Sequence, residues 1–155
     1  MFHIVLVAPE IPHNAGAAGR LALATGSRLH LVKPLGFSLD DKHVRRTGLD
    51  YWREVDVVVW ESLDELVVAA DPGSRFWYLS TKAGTGLWDA DFRAGDHLVF
   101  GCESRGLPEA MVREAGARGV RIPMKAGGTR SLNLSTAIGI TLYEAIRRSG
   151  GGGLS

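Results

Sequence analysis

The stretch His97-Leu98-Val99-Phe100-Gly101-Cys102-Glu103-Ser104-Arg105-Gly106-Leu107-Pro108 changes character twice within a few residues. Residues 97–101 are almost continuously apolar, as a strand buried on both faces must be. Residues 102–107 are small or polar and read as a turn, and Pro108 suits the first position of a helix running to about residue 115. The same succession of apolar strand, polar turn and helix recurs outward in both directions. Residues 2–8 form a strand that stops at Pro9-Glu10-Ile11-Pro12. Asn14 then reads as the N-cap of an Ala/Leu-rich helix over 15–25 closed by Gly26. Residues 27–33, 55–60, 75–80 and 119–122 are further strands. Ser62 and Glu65 make a capping box for a short helix ending at Asp71-Pro72-Gly73. Residues 133–148 carry apolar side chains at helical spacing and form the terminal helix, whereas 83–86 read as turn. The pattern predicts an α/β fold, a mostly parallel sheet flanked by helices. In such sheets ligands bind beyond the carboxyl ends of the strands.

Composition narrows the class. The chain has 155 residues, with 18 Lys+Arg against 17 Asp+Glu and one cysteine. A chain of this length buries roughly 68–70% of its unfolded surface and needs no disulfide or structural metal. We expect one domain over residues 1–149 and a flexible Gly-rich tail over 150–155. A lone Cys102 excludes a disulfide framework and any CxxC pair, and points to a reducing compartment. No apolar run reaches the ~18 residues of a membrane span. The start Met1-Phe2-His3-Ile4 lacks the basic region of a signal peptide, so a cytoplasmic location is expected. The net charge of +1 gives no sign of a nucleic-acid partner, but a sum says nothing about distribution.

Several sites are ruled out by pattern. The turn after the first strand supplies no GxGxxG, and the chain has no GxxxxGK[ST] and no HExxH. His3, His13, His30, His43 and His97 show no ligand spacing, so no metal is expected. The strand ends are more informative. Leu79-Ser80-Thr81-Lys82, Gly101 to Pro108, Ile122-Pro123-Met124 and Thr129 to Ser135 together would wall a crevice with backbone donors, apolar contacts and the charges of Glu103, Arg105 and Arg130. Taken singly, each is ordinary turn or capping chemistry.

Three of these segments resemble a family. Asn14-Ala15-Gly16-Ala17-Ala18-Gly19-Arg20, Gly101 to Pro108, and Ile122-Pro123-Met124 followed by Ser131-Leu132-Asn133-Leu134-Ser135 are similar to the three motifs of the SPOUT RNA 2′-O-methyltransferases. Pro9-Glu10-Ile11-Pro12 and the run from Gly36-Phe37 to Asp50-Tyr51 narrow the likeness to the TrmL-type enzymes that methylate the wobble nucleotide of tRNA. The resemblance covers the chain to about residue 148. It implies a SPOUT fold with a C-terminal deep trefoil knot, S-adenosylmethionine as cofactor with S-adenosylhomocysteine as product, a homodimer, and a tRNA anticodon stem-loop as partner.

Residue by residue, the resemblance implies catalytic roles for Arg20, Asn14, Glu103 and Asn133. Leu79, Gly101, Ile122, Ser131 and Leu132 match cofactor contacts made largely through backbone atoms. An arginine is a poor base because its guanidinium stays protonated. Arg20 therefore either activates the ribose 2′-OH with help from the RNA phosphate, or fixes that phosphate and stabilises the developing alkoxide. Glu103 beside Arg105 reads either as an ion pair bracing the loop or as an organiser of the cofactor loops. Lys42, Arg45 and Arg46, with His43, Tyr51 and Trp52, form a candidate RNA grip in which cations meet phosphates and an aromatic face stacks a base. Arg105 belongs to the same candidate RNA surface. The alternative is a solvated loop paired with Asp40 and Asp41. Rival functions are methylation at another tRNA or rRNA position, and RNA binding without catalysis. The sequence departs from the family pattern at Cys102, where a proline is frequent, and in the looser run 125–129.

Overall fold

Parallel strands cannot be joined by tight turns, so each return crosses a face of the sheet and tends to leave a helix there. The computed structural model, which describes residues 1–40 and 51–155, has this form. Its strands are β1 (His3–Val7), β2 (Arg28–Val32), β3 (Val57–Trp60), β4 (Phe76–Leu79), β5 (Thr85–Gly86), β6 (His97–Phe100) and β7 (Gly119–Arg121). They make one sheet in the order β3-β2-β1-β6-β4-β7-β5, and every pairing is parallel. The described helices are α1 (Pro12–Thr25), α2 (Leu63–Ala69), α3 (Glu109–Ala115) and α4 (Leu134–Arg148).

Alternation along the strands explains the layers. Ile4, Leu6, Leu29, Leu31, Trp77, Leu79, Leu98 and Phe100 point to one face, where they meet Ala15, Ala18 and Ala22 of α1 and Ile138, Leu142 and Ala145 of α4. Val5, Val32, Phe76 and Val99 point to the other and meet Leu66 of α2 and Val112 of α3. Both faces are covered, which is why the strands read as continuous apolar runs. At the edge, Thr85 and Gly86 pair with Val120 and Arg121. Two residues are too short for any periodicity, and so the segment expected to be turn is the last strand of the sheet.

The helix ends follow local chemistry, with one correction. Ser62 accepts from the Glu65 amide and caps α2, and Asn133 accepts from the amides of Ser135 and Thr136 and caps α4. Asn14 does not cap α1. The helix begins at Pro12, whose missing N–H suits a first helical position, and Ile11 stands at the cap with no side-chain bond. Asn14 thus lies inside the first turn, free to reach another loop. Pro108 likewise precedes α3, which starts at Glu109.

Imidazoles from the amino ends of β1 and β6 and a third from the middle of β2 collect on one face of the sheet. His3 and His97 are register partners and stack with centroids 4.1 Å apart, and His97 also stacks on Phe76 at 4.3 Å. The Trp60 indole N–H, a donor only, donates to His30 Nδ1 at 2.9 Å, so the proton of neutral His30 sits on Nε2 and donates to His3 Nδ1 at 2.9 Å. Nearby, buried Asp96 accepts from the Arg75 guanidinium, the Trp77 indole and the Arg93 amide, tying β4 to β6.

Burial, then the neighbouring His3, push His30 down to about 3 and His97 to about 4; Arg28 adds to the first shift, while Asp56 and Asp96 oppose them. Unfolded histidines titrate near 6.5, so the unfolded chain binds more protons below that pH. Stability is therefore complete above about pH 6.5 and declines from there towards pH 4. We expect chemical denaturation to show a slope of up to about 1.4 kcal/mol per pH unit per histidine between pH 6.5 and 5, above the carboxylate range. His97→Phe should flatten that slope. A second prediction concerns Gly101. A Cβ there would lie 2.1 Å from the Gly106 carbonyl carbon and 2.2 Å from the Leu107 nitrogen, both backbone atoms that cannot yield cheaply. Gly101→Ala should cost on the order of 3 kcal/mol of stability and displace the 102–106 turn, measured by thermal melting.

Candidate functional site

The carboxyl ends of four adjacent strands, β1, β6, β4 and β7, open into one cavity of about 790 Å³. Phe100 to Glu109 forms one wall of it and Leu79 to Lys82 another, while Ile122, Met124 and the run Arg130–Leu134 close the far side. Ile11 and Asn14 reach in from the loop after β1. Leu79, Gly101, Ile122, Ser131 and Leu132, the expected cofactor contacts, all line it. So do Asn14, Glu103, Arg105 and Asn133.

The turn after β6 is shaped by its glycines. Gly106 has φ 68°, a left-handed conformation, and its amide donates to the Cys102 carbonyl at 2.9 Å. That closes an antiparallel bridge between Cys102 and Gly106. Cys102, 8% exposed, directs its thiol towards the Gly106 carbonyl, so a side chain other than proline is accommodated without opening the turn.

Glu103 has no ion pair with Arg105. Its carboxylate accepts the amides of Glu10 (2.8 Å) and Ile11 (2.6 Å) and the Asn14 side-chain Nδ2 (3.1 Å). Of the two readings, the organiser of loops is the one the geometry carries. Asn14 is buried, and its bond to Glu103 joins the start of α1 to the cavity wall across 89 residues of chain.

Arg20 is not brought to this cavity. It lies six residues beyond Asn14, about 9 Å further along α1, exposed, with its guanidinium 5.6 Å from the centre of the Tyr51 ring. Tyr51 donates its hydroxyl proton to the Gly16 carbonyl at 3.1 Å, and Trp52 packs where a side chain on Gly19 would stand. The two aromatic residues expected to stack a base brace the face of α1 that carries Arg20. Lys42, Arg45 and Arg46 lie outside the described residues.

Cations surround the cavity mouth unequally. Arg121 donates to the carbonyls of Ala83 and Gly84, and Lys82 pairs with Glu109, holding that carboxyl below its ordinary range. Among the described residues, Arg105, Lys125 and Arg130 are exposed and make no ion pair. Among the described residues, the one grouping with metal-ligand proximity is the His3, His30 and His97 cluster, which sequence spacing did not reveal because only strand register assembles it. Its hydrogen bonds oppose that use: the indole fixes the His30 proton on Nε2, and the lone pair of His3 Nδ1 is occupied. Sequence reasoning also missed Glu10, whose carboxylate binds Ser104 across 94 residues.

The model of the SpoU rRNA Methylase family matches residues 1–143. A tRNA (cytidine(34)-2'-O)-methyltransferase of Polaromonas sp. strain JS666 is 47% identical over 97% of this chain and 92% of its own length. The enzyme of the same name from Methylovorus glucosotrophus is 48% identical over 96% of each chain. A solved structure described as giving insight into the 2-OH methylation of C/U34 on tRNA superposes with a TM-score of 0.88 at 45% identity, covering 96% of this chain and 95% of its own. The SpoU methyltransferase AviRb from Streptomyces viridochromogenes, solved with AdoMet, superposes with a TM-score of 0.78 at 27% identity; it covers 94% of this chain, which spans 59% of it. With the family model spanning all seven strands and the cavity that four of them open into, this chain belongs to the SpoU rRNA methylase family.

Proposed function

We infer that this chain is a tRNA (cytidine(34)-2′-O)-methyltransferase, transferring a methyl group from S-adenosylmethionine to the ribose 2′-OH of wobble nucleotide 34. The observation that carries the reading is near-full-length identity of 45–48% to relatives of that name and to a structure of C/U34 methylation, joined to a cavity at the shared motifs. Methylation at another tRNA or rRNA position is the rival, and no feature of the site favours it.

The residues present fit the cofactor. The cavity is of ligand size, with apolar Leu79, Ile122 and Leu132 for a flat purine and the backbone of 101–107 for its polar edge. When bound, S-adenosylmethionine supplies a methyl group on a positively charged sulfur. The protein's task is to orient the hydroxyl and to favour loss of its proton. We assign Asn14, Glu103 and Asn133 to holding the loops around the cofactor. Arg20 is assigned to the ribose and its phosphate, stabilising the alkoxide, because a solvent-exposed guanidinium is ill suited to accept a proton. Lys42, Arg45, Arg46 and Arg105 are proposed to grip the anticodon stem-loop, and exposed Lys125 and Arg130 extend that surface.

The remaining parts of the reading follow from the family. A homodimer is proposed, supported by exposed Ile11 (45%), Leu23 (38%) and Tyr143 (48%), two of them on α1 and α4, and by the separation of Arg20 from the cavity of its own chain. A C-terminal trefoil knot is proposed, in keeping with the passage of the 122–134 segment beside the turns after β4 and β6. We take residues 1–149 as the methyltransferase domain and 150–155 as a tail, with no metal required and a cytoplasmic location. No helix among the described residues is long and apolar enough to cross a membrane.

Incubation with labelled S-adenosylmethionine and total tRNA, followed by mapping of the modified nucleotide, tests the reading; label at 2′-O of nucleotide 34 is expected, and label elsewhere would replace it with the rival. Arg20→Ala should lower kcat by on the order of 100-fold with cofactor affinity unchanged. Arg130→Ala should weaken tRNA binding and reduce its salt slope by about one.

A further inference from the structure

Two prolines leave the turn Pro9-Glu10-Ile11-Pro12 with only two backbone N–H groups, those of Glu10 and Ile11, because proline has none. Both are given to one carboxylate, that of Glu103. The return bonds run the other way: Glu10 Oε1 accepts the Ser104 amide at 2.9 Å and the Ser104 hydroxyl at 2.7 Å. Each turn thus offers its backbone donors to the other's carboxylate. The first turn is confined on its remaining sides. Ala8, just before it, holds φ 53°, unusual for a residue with a Cβ. Gly36 donates to the Pro9 carbonyl at 2.9 Å and approaches so closely that a Cβ there would lie 2.7 Å from the Glu10 carbonyl oxygen.

We propose that Glu10 is a positioning residue for the cofactor-binding turn, setting the height of the Ser104–Gly106 segment through Ser104 while Glu103 secures Asn14 and the turn after β1. The proposal rests on the reading of the cavity as the S-adenosylmethionine site. Glu10 is not among the residues lining that cavity, whereas Ser104, Arg105 and Gly106 are. Its carboxyl is held below the ordinary carboxylate range by the two Ser104 bonds, so it stays ionised and acceptor-only at neutral pH. Among the described residues no cation forms a salt bridge with it, although the charge of Arg105 adds to the lowering. Without these bonds the 103–106 turn keeps its internal Cys102–Gly106 bridge and the Glu103 bonds to the first loop, but Ser104 loses its partner there.

The test uses the full chain and three variants, Glu10→Ala, Glu10→Gln and Ser104→Ala, with S-adenosylhomocysteine binding by calorimetry, amide exchange at Ser104 without ligand, and thermal melting. Glu10→Ala should weaken S-adenosylhomocysteine by about tenfold, the scale of lost charge-assisted hydrogen bonds, and speed exchange at Ser104. Its melting temperature should stay within about 3 °C of the parent. Glu10→Gln, whose amide oxygen still accepts from Ser104, should recover affinity to within about threefold. Combining Glu10→Ala with Ser104→Ala should weaken binding no further than Glu10→Ala alone, because the two residues act as one contact. Unchanged affinity and unchanged Ser104 exchange in Glu10→Ala would overturn the proposal, as would additive effects in the double variant or a collapse of melting that Glu10→Gln does not rescue. If the parent protein bound no S-adenosylhomocysteine, the cofactor reading itself would fail, and Ser104 exchange would still report on the clasp.

Discussion

A carboxylate held only by N–H groups anchors the site. Glu103 takes three donors from the first loop and its helix, and no cation. Such a group is satisfied only when two segments far apart in sequence reach one geometry, since a buried or half-buried carboxylate short of partners is costly. The position of α1 relative to the cavity, the depth of Asn14 and the path of the turn after β6 all follow from it. An ion pair with Arg105 would have braced one loop against itself and left the other free.

The division of labour between the two ends of the sheet has a physical basis. At the carboxyl ends, short turns between buried strands and helices leave backbone groups unpaired and available to a ligand. Towards the amino ends, polar side chains are consumed by one another: Trp60, the last residue of β3, reaches back to His30 in the middle of β2, His30 donates to His3, and Asp96 accepts three kinds of donor. Among the described residues, His97 Nδ1 is the one side-chain atom buried there without a partner. The two ends hold similar residue types, and satisfaction of their hydrogen bonds separates scaffold from site.

What was legible in the sequence was local or repeated. Strands buried on both faces announce themselves as apolar runs, and Ser62 and Asn133 cap helices a few residues away. The segments after the strands could be placed around one crevice because strand ends of a parallel sheet converge, whereas Leu79, Gly101, Ile122, Ser131 and Leu132 were singled out by the resemblance to the family. Illegible features depend on distant partners. Asn14 resembled a cap because a polar residue preceded an Ala/Leu run, yet Pro12 was the stronger start signal and Glu103, the true partner, lies 89 residues on. His3, His30 and His97 meet only through the register of three strands. The role of Tyr51 against α1 had no sequence signal at all, since an aromatic beside basic residues reads equally as a stacking platform.

The strand order carries a consequence for how the protein comes into being. β1 pairs with β6, and the cavity is completed only when the 130–134 segment near the carboxyl terminus is in place. These are contacts of long sequence separation, which slow folding because loop closure precedes any gain from pairing. The pocket therefore forms only with the sheet and the 130–134 segment both in place, and ligand binding reports on the whole fold and not on any local part of it. Any molecule that fills the pocket binds the folded chain and holds it folded by mass action.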